Sequence, residues 1–247
     1  MPDQIGALFM EKTRHEHLTI SDQQQGLPQP ALQIPVDEMA VLIDLPAPGD
    51  VQVKAMDLRQ AIEQRVSVRR YAARALSMSE LSYLLWCTQG VKEVRPDGYC
   101  LLRTVPSAGA RHAFETYLLV NHVDGLKPGL YRFLSIEHKL LEVDLAPGIA
   151  DRITRACLGQ RFVQTGAVTF IWVAVVYRMA WRYGQRGYRY LHLDAGHVCQ
   201  NLYLAAQSVD CGVCAIAAFD DQDLGQIVGV DGQEQFPIYL AALGKMV

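Results

Sequence analysis

Three residues with phosphate-binding chemistry alternate near position 67. Arg65, Ser67 and Arg69 stand two apart in the run RVSVRRY. In an extended backbone, alternate side chains project to the same side, so two guanidinium groups and a hydroxyl can converge there. A guanidinium fork binds phosphate oxygens in a bidentate manner. The spacing predicts a phosphate-binding loop, and the alternative is a solvated basic loop.

A second candidate is the run PSAGARH, from Pro106 to His112. Small side chains let backbone N–H groups approach a flat ring or an anion. The alternative is an ordinary turn before a strand. Ser107 and His112 also suggest a serine nucleophile, but the sequence has no G-x-S-x-G elbow, which disfavours a hydrolase.

The six cysteines do not complete a redox or metal motif. Cys211 and Cys214 have C-x-x-C spacing, but a helix precedes them and a strand follows, the reverse of the thioredoxin-like order. His197 and Cys199 lie two apart on a predicted helix and diverge by about 200°. The zinc-deaminase pattern lacks its Glu and its Pro. We expect buried free thiols and no metal site.

Composition and missing motifs exclude further classes. Neither G-x-G-x-x-G nor G-x-x-x-x-G-K-[ST] is present, which disfavours dinucleotide and triphosphate loops. A net charge of −3 gives no general attraction to nucleic acid or anionic membranes. The longest apolar run, Ala167 to Tyr177, is too short to span a bilayer and predicts a central strand. The N-terminus lacks a signal-peptide core, so we expect a cytoplasmic protein.

These residues must be positioned by the stretch from Tyr188 to Asp220. Apolar residues from Leu191 to Val209 recur at helical spacing, and Gly212 is predicted to cap that helix. A buried strand is expected from Val213 to Phe219, with Asp220 beginning another helix. Other predicted helices cover 57–64 and the segment after Ser77, whose Glu80 completes a capping box. Residues 91–104 and 178–188 are predicted as loops, and strands are predicted at 115–121, 138–143, 166–177 and 237–243.

The 247 residues are compatible with one large domain. Residues 1–58 are rich in Gln and Pro and lack sustained periodicity, which predicts an extended N-terminal arm. Residues 59–247 mix helices and strands without a repeat, which predicts a single α+β domain.

Taken in order, seven motifs resemble the FMN-dependent nitroreductase family, and within it the SagB/ThcOx-type dehydrogenases. They are RVSVRRY, ALSMSELSYLLWCTQGV, VPSAGARHAFETYLLV, PGLYRF, YGQRGYRYLHLDAGHVCQNLYLAAQ, AIAAFDD and the terminal AALGK. The resemblance implies a three-layer sandwich, with a mixed, mainly antiparallel sheet flanked by helices. It also implies a homodimer with FMN at the subunit interface, and the helix over 195–206 would form the dimer core.

The resemblance further implies which residues hold the cofactor. Those expected at the phosphate are Arg65, Ser67, Arg69 and, late in the chain, Lys245. Those expected at the flavin ring are Pro106, Ser107, Ala108 and Gly109 of the partner subunit, the backbone of Ala217 and Ala218 facing N5, and Gln160 at the pyrimidine edge. Ala110 and His112 stand where the family has polar Asn and Gln contacts.

Arg182 and Tyr183 stand where azoline dehydrogenases of this group have a Lys-Tyr pair. Arginine stays protonated at any working pH, so Arg182 cannot act as a general base. It can bind an anionic substrate or stabilise developing negative charge, and Tyr183 would act as acid or base. The alternative is a packed aromatic-basic loop with no part in catalysis.

We therefore expect an FMN-dependent oxidoreductase that moves hydride through flavin N5 between an organic substrate and a second donor or acceptor. It would dehydrogenate a heterocycle or peptide-derived substrate and pass electrons to oxygen, or it would take hydride from NAD(P)H and reduce nitroaromatics or quinones. The alternatives are a non-catalytic flavin-binding subunit of a modifying complex and a thiol oxidoreductase through Cys211 and Cys214.

Overall fold

A seven-stranded sheet with helices on both faces positions every candidate residue in the computed structural model, which describes residues 4–96 and 98–247. The helices are α1 (Ile5–Lys12), α2 (Leu58–Gln64), α3 (Met78–Gln89), α4 (Ile149–Ala156), α5 (Phe162–Thr165), α6 (Val176–Tyr183), α7 (Gly187–Gln207) and α8 (Asp221–Val228). The strands are β1 (Leu42–Asp44), β2 (Val91–Val94), β3 (Leu101–Arg103), β4 (Phe114–Val120), β5 (Gly129–Leu134), β6 (Lys139–Asp144), β7 (Val168–Val175), β8 (Cys211–Ile216) and β9 (Gln235–Lys245).

The main sheet has the strand order β1-β6-β5-β4-β7-β9-β8. Each neighbouring pair of strands in it is antiparallel. Parallel pairing is confined to two single-residue bridges, Ser67 with Val213 and Leu76 with Val123. The mixed, mainly antiparallel sheet is therefore confirmed, and its parallel part lies in the segments that flank the strands.

The central strand β7 divides the core into two layers because its side chains alternate between the two faces. Phe170 and Trp172 pack on the side of α3 and α7, whereas Ile171 and Val173 pack on the side of α4 and α8. This arrangement confirms the three-layer α+β sandwich. Among the residues described, no helix combines the length and hydropathy needed to cross a bilayer.

The predicted helix starts agree with the structure because each has a polar cap. The side chains of Asp57, Ser77 and Asp220 accept backbone N–H groups of the first turn of α2, α3 and α8. Glu80 returns a bond to the Ser77 backbone and completes the capping box.

The predicted cap at Gly212 is wrong. Helix α7 ends at Gln207 with Ser208 as its cap, and Gly212 lies inside β8. A Cβ at Gly212 would stand 2.5 Å from the Val68 side chain. This glycine is therefore explained by the close approach of the segment before Tyr71 and not by a helix end.

Two predicted loops are regular elements. Residues 91–104 contain the hairpin of β2 and β3, and residues 176–183 form α6. In α6, Val176 and Met179 are buried at helical spacing, while the arginines and aromatic residues between them obscured that short periodicity in the sequence.

The N-terminal arm packs against its own chain. The Gln23 N–H donates to the Trp181 carbonyl at 2.9 Å, and the Trp181 indole donates to the Leu27 carbonyl at 2.9 Å. Strand β1 then pairs with β6 at one edge of the sheet, and the Lys54 N–H reaches the Ser208 carbonyl at the end of α7. The arm covers α6, a sheet edge and the end of α7, so it is part of the folded body.

A buried ion pair anchors this arm. Arg178 Nη2 lies 2.6 Å from Glu115 Oε1, and the two side chains are 3% and 4% exposed. The same carboxylate oxygen accepts the Ile34 N–H at 2.9 Å, and Arg178 Nε donates to the Ala31 carbonyl at 2.8 Å. Backbone groups of the arm thus add hydrogen bonds to a charged pair on β4 and α6.

We predict that Arg178→Ala lowers the free energy of unfolding by about 3–5 kcal/mol, because the buried Glu115 would lose its hydrogen-bonded ion-pair partner. Urea unfolding followed by tryptophan fluorescence measures this loss. The control is Arg59→Ala, which breaks the exposed Arg59–Glu63 pair within α2 and should cost no more than about 0.5 kcal/mol. Equal losses in the two variants would contradict the anchoring role.

Candidate functional site

The predicted phosphate-binding residues begin where α2 ends. Arg65 caps α2, and the following segment lies against β8 through the bridge between Ser67 and Val213. The Arg65 guanidinium carbon is 5.2 Å from the centre of the Tyr203 ring, and the Ser67 hydroxyl is 3.0 Å from the Tyr203 hydroxyl. The fold therefore brings Arg65 and Ser67 onto one tyrosine of α7.

Arg69 contacts a different aromatic ring. Its guanidinium carbon lies 5.9 Å from the centre of the Phe162 ring. Within the described part of the chain, neither Arg65 nor Arg69 has an ion-pair partner. Guanidinium groups without carboxylate partners are available to bind an anion.

Tyr71 fixes the backbone below these residues. Its hydroxyl donates to the carbonyls of Val68 at 2.8 Å and Ala242 at 3.1 Å. The ring lies so close to Gly244 that a Cβ there would approach Tyr71 Cγ at 2.8 Å. The terminal strand β9 and the basic segment are therefore held together without a side chain at Gly244.

The residues expected near flavin N5 follow the same edge strand. Ala217 and Ala218 are exposed just after β8. The Gln160 amide nitrogen donates to the Ala218 carbonyl at 2.8 Å and to the Cys157 carbonyl at 3.0 Å. The Tyr203 hydroxyl accepts the Ala215 N–H at 3.0 Å. β8 thus carries both the basic segment and the Ala217–Ala218 backbone, with Gln160 beside the latter.

The small-residue loop from Pro106 lies on the first half of α7. Asp194 accepts the Ala108 N–H at 3.3 Å and a hydrogen bond from the Ser107 hydroxyl. Burial raises the pKa of Asp194, while the bonds from Ser107 and Ala108 oppose that rise. Ser107 also accepts the His112 N–H at 2.9 Å, so the loop is rigidly held.

Gly109 brings this loop into contact with Arg182 and Tyr183. Its φ is +56°, and a Cβ would stand 2.5 Å from the Tyr183 hydroxyl and 2.9 Å from Arg182 Nε. Arg182 Nη1 donates to the Tyr99 hydroxyl, and the Tyr183 ring packs edge-on against Tyr190 at 4.8 Å. The predicted catalytic pair and the predicted flavin loop therefore form one cluster.

The two clusters lie along α7 without meeting. The loop cluster contacts Asp194 and the basic cluster contacts Tyr203, and nine helical residues correspond to about 13 Å. Within one chain, Arg65 and Ser67 meet at Tyr203, Arg69 lies beside Phe162, and Gln160 binds the Ala218 carbonyl. The loop cluster contains Pro106, Ser107, Ala108, Gly109, Arg182 and Tyr183. Their roles toward a cofactor stay predictions.

Lys245 and His112 are buried side chains and do not reach the exposed surface of either cluster. The Lys245 ammonium is buried, where it pairs with Glu80 and donates to the Val209 carbonyl at 2.8 Å. Burial lowers the pKa of His112 to about 3, and the nearby Arg103 charge contributes to this. The phosphate contact of Lys245 stays a prediction, while His112 serves as a neutral buried group below the loop.

The sequence analysis missed Asp194, Tyr203 and Tyr99. Asp194 had a readable signal, because a carboxylate three residues after Leu191 falls on the apolar face of the predicted helix. Tyr203 and Tyr99 gave no such signal, since their partners are more than seventy positions away in the sequence.

The cysteines lie in apolar surroundings. Cys211 and Cys214 are buried within β8, and neither lies at a helix N-terminus that would stabilise a thiolate. Burial raises the pKa of Cys211 to about 12, and that of Cys199 to about 12. No group of three or more His, Cys, Asp or Glu residues in the described ranges is placed to hold a metal ion.

We predict that Cys211 and Cys214 react slowly with iodoacetamide in the native protein up to pH 9. A thiol of pKa 12 is ionised in only about one molecule in a thousand at that pH. Peptide mass spectrometry of labelled protein measures the modification, and protein unfolded in urea serves as the control. Labelling of the native protein as fast as that of the unfolded chain would support the alternative of a thiol oxidoreductase through Cys211 and Cys214.

We predict that Gly109→Ala displaces the Tyr183 ring. Its control is Gly232→Ala, which has a positive φ of +79° but open space around its Cα. Both variants should lose about 1–2 kcal/mol of stability through the left-handed backbone. Only Gly109→Ala should move the Tyr183 ring resonances of ¹³C-tyrosine-labelled protein, and unchanged resonances would contradict the close approach.

Comparison with known proteins adds relatives to this geometry. A nitroreductase homologue of Methanocaldococcus jannaschii is 32% identical over 195 residues, which cover 79% of this chain and 94% of the relative. The trifolitoxin-processing protein TfxB of Rhizobium leguminosarum bv. trifolii is 31% identical over 114 residues, or 44% of this chain. The matched part is only 31% of TfxB.

Solved structures agree over most of the chain. A nitroreductase homologue from Ralstonia eutropha matches with a TM-score of 0.68 and 25% identity, covering 90% of this chain and 95% of the other. One from Anabaena variabilis matches with a TM-score of 0.68 and 27% identity, covering 85% of this chain and 42% of the other. The model of the nitroreductase family matches residues 62–245, and the chain therefore belongs to the nitroreductase family of oxidoreductases.

Proposed function

We propose that the protein is an FMN-dependent oxidoreductase whose complete active site forms between two copies of the chain. The observation that carries this proposal is that Arg65 and Arg69, on the segment that bridges to β8 at Ser67, have no carboxylate partner among the described residues. A dianionic phosphate satisfies both cations at once. Membership of the nitroreductase family supports FMN as the group that carries it.

The described residues fit the rest of the cofactor. Ala217 and Ala218 are small and exposed, so a flat ring can approach their backbone closely. The Gln160 amide nitrogen donates to the carbonyls of Ala218 and Cys157. Its side-chain oxygen is therefore available to accept a hydrogen bond from the pyrimidine edge of the flavin. Bound FMN would supply hydride transfer through N5.

The separation of the two clusters supports a homodimer. Pro106–Gly109 and Arg182–Tyr183 of the partner subunit would complete the site that Arg65, Ser67 and Arg69 begin. The apolar face of α7, which includes Ala195 and Ala206, is buried within the chain itself, so a dimer contact through this helix would use its other face. The proposed contact is the opposite face, where Leu193 is 60% exposed and a Cβ on Gly196 would meet nothing within 4 Å.

The chain's own contribution to chemistry centres on Arg182 and Tyr183. Arg182 cannot remove a proton, so its charge orients a substrate or stabilises negative charge on it. The adjacent Tyr183 hydroxyl can give or take a proton. TfxB, a processing protein by name, supports the SagB-type version with a peptide-derived substrate, while the family name supports reduction of nitroaromatics or quinones with NAD(P)H.

The visible absorption spectrum of the purified protein tests the proposal. We predict flavin bands, or their appearance after reconstitution with FMN. Arg65→Ala and Arg69→Ala should each weaken FMN binding at least tenfold, because each removes a charge-assisted contact of about 1.5–3 kcal/mol. Arg70→Ala is the control, since the exposed Arg70 falls between the alternating positions. A colourless protein that does not take up FMN would end this proposal.

Anaerobic addition of NAD(P)H distinguishes the electron partners. Bleaching of the flavin bands is expected if NAD(P)H is the donor, and unchanged bands favour a substrate dehydrogenase that passes electrons to oxygen. In either version we predict that Tyr183→Phe lowers turnover at least tenfold with unchanged flavin content. A flavoprotein that no donor reduces would instead match the non-catalytic flavin-binding subunit.

A further inference from the structure

A cavity lies between the N-terminal arm and the Arg182–Tyr183 pair. Its volume is about 480 Å³, and its walls include His15, Ile20, Ser21 and Gln23 of the arm. Small-molecule sites usually have volumes of about 300–1,000 Å³. The cavity therefore has room for a small organic molecule directly against the two residues proposed to act in catalysis.

The arm wall is fastened at both ends. On one side, the Thr13 carbonyl accepts from Arg186 at 2.7 Å, and its hydroxyl accepts from Arg189 at 2.6 Å. On the other side, the Gln23 N–H binds the Trp181 carbonyl at 2.9 Å, and the Gln23 side chain donates to the Tyr99 hydroxyl at 2.9 Å. The segment between Thr13 and Gln23 is therefore a fixed arch over the end of α6.

The charges at this cavity favour an anion. Arg182 is the permanent charge in its lining, which contains no carboxylate within the described residues. Glu16 faces Arg14 and His17, and Asp22 accepts from the Tyr177 hydroxyl at 2.9 Å. Both carboxylates of the arch are thus engaged away from the cavity.

A second guanidinium group, that of Arg111, also contacts Tyr99. The guanidinium carbon of Arg111 lies 4.6 Å from the centre of the Tyr99 ring, and Tyr99 also accepts from Arg182. A guanidinium has five N–H donors, and Tyr99 uses one from Arg182, so donors remain for a planar carboxylate.

We propose that this cavity is the substrate subsite for a small organic molecule that carries a carboxylate. Arg182 binds the carboxylate, and the arch between Thr13 and Gln23 limits the size of the molecule. The inference rests on the proposed function, since that function places Arg182 and Tyr183 beside the reacting group. It makes the arm a specificity element of the enzyme.

Calorimetry with 4-nitrobenzoate and 4-nitrobenzamide tests the charge requirement on the full-length protein as purified. The two probes share shape and nitro group, but only the first carries a carboxylate. The wild type should bind the acid at least tenfold more tightly than the amide. Arg182→Gln should reduce this ratio to about one, Arg182→Lys should keep part of it, and Arg155→Gln, an exposed control on α4, should leave it unchanged.

A second pair of variants tests the arch. Thr13→Val removes the hydroxyl that Arg189 binds, while Thr154→Val changes a buried threonine whose hydroxyl has no partner. Only Thr13→Val should weaken binding of 4-nitrobenzoate, by threefold or more, and accelerate proteolysis within the arm. Unaltered binding and proteolysis would remove the arch from the site.

Different results would contradict the carboxylate subsite and the proposed function. Equal affinities for acid and amide in the wild type, or a preference that survives Arg182→Gln, would overturn the carboxylate subsite. The absence of flavin bands would overturn the proposed function, and calorimetry reports the acid preference without any turnover.

Discussion

The buried pair of Arg178 and Glu115 is the interaction on which the rest of the structure depends. Two charges taken out of water are tolerated only when each is paired and hydrogen-bonded. Here the pair joins β4 to α6, and it is hydrogen-bonded further by the carbonyl of Ala31 and the N–H of Ile34. One interaction thereby sets the position of α6, and with it Arg182 and Tyr183, and fastens the arm that encloses them.

The second constraint is the distribution of the site along α7. Tyr203 gathers the basic residues at β8, while Asp194 holds the loop that touches Arg182 and Tyr183. The helix keeps Asp194 and Tyr203 about 13 Å apart along its axis. In the homodimer proposed above, each copy would offer one group to the other.

Much of the fold could be predicted from the sequence where local signals were strong. Asp57, Ser77 and Asp220 begin helices because their side chains bind nearby N–H groups, and such signals need only a few residues. The helix α6 was missed because its few buried positions are separated by arginines and aromatic residues that suggest a loop. Gly212 was assigned to a helix end because a glycine needed for close packing and one needed for a left-handed cap look alike in sequence.

The candidate site likewise combines a local pattern that could be predicted with contacts that could not. The alternation of Arg65, Ser67 and Arg69 is a local pattern, and the structure places Arg65 and Ser67 on Tyr203 and Arg69 beside Phe162. The arch over Arg182 could not be predicted, since residues 13–24 carry no periodicity and their partners on α6 and α7 lie far along the sequence. Contacts of that kind depend on the folded chain as a whole and leave no trace in spacing.

The arm also determines the order in which the chain can fold. The bond from Arg178 to Ala31 spans 147 residues, and that from Trp181 to Leu27 spans 154. During synthesis at about 5–20 residues per second, the arm therefore waits about 7–30 s for α6 to emerge. Over that interval the carbonyls of Ala31 and Leu27 have no partner on α6, so the arm cannot take up its folded position until most of the chain has been made.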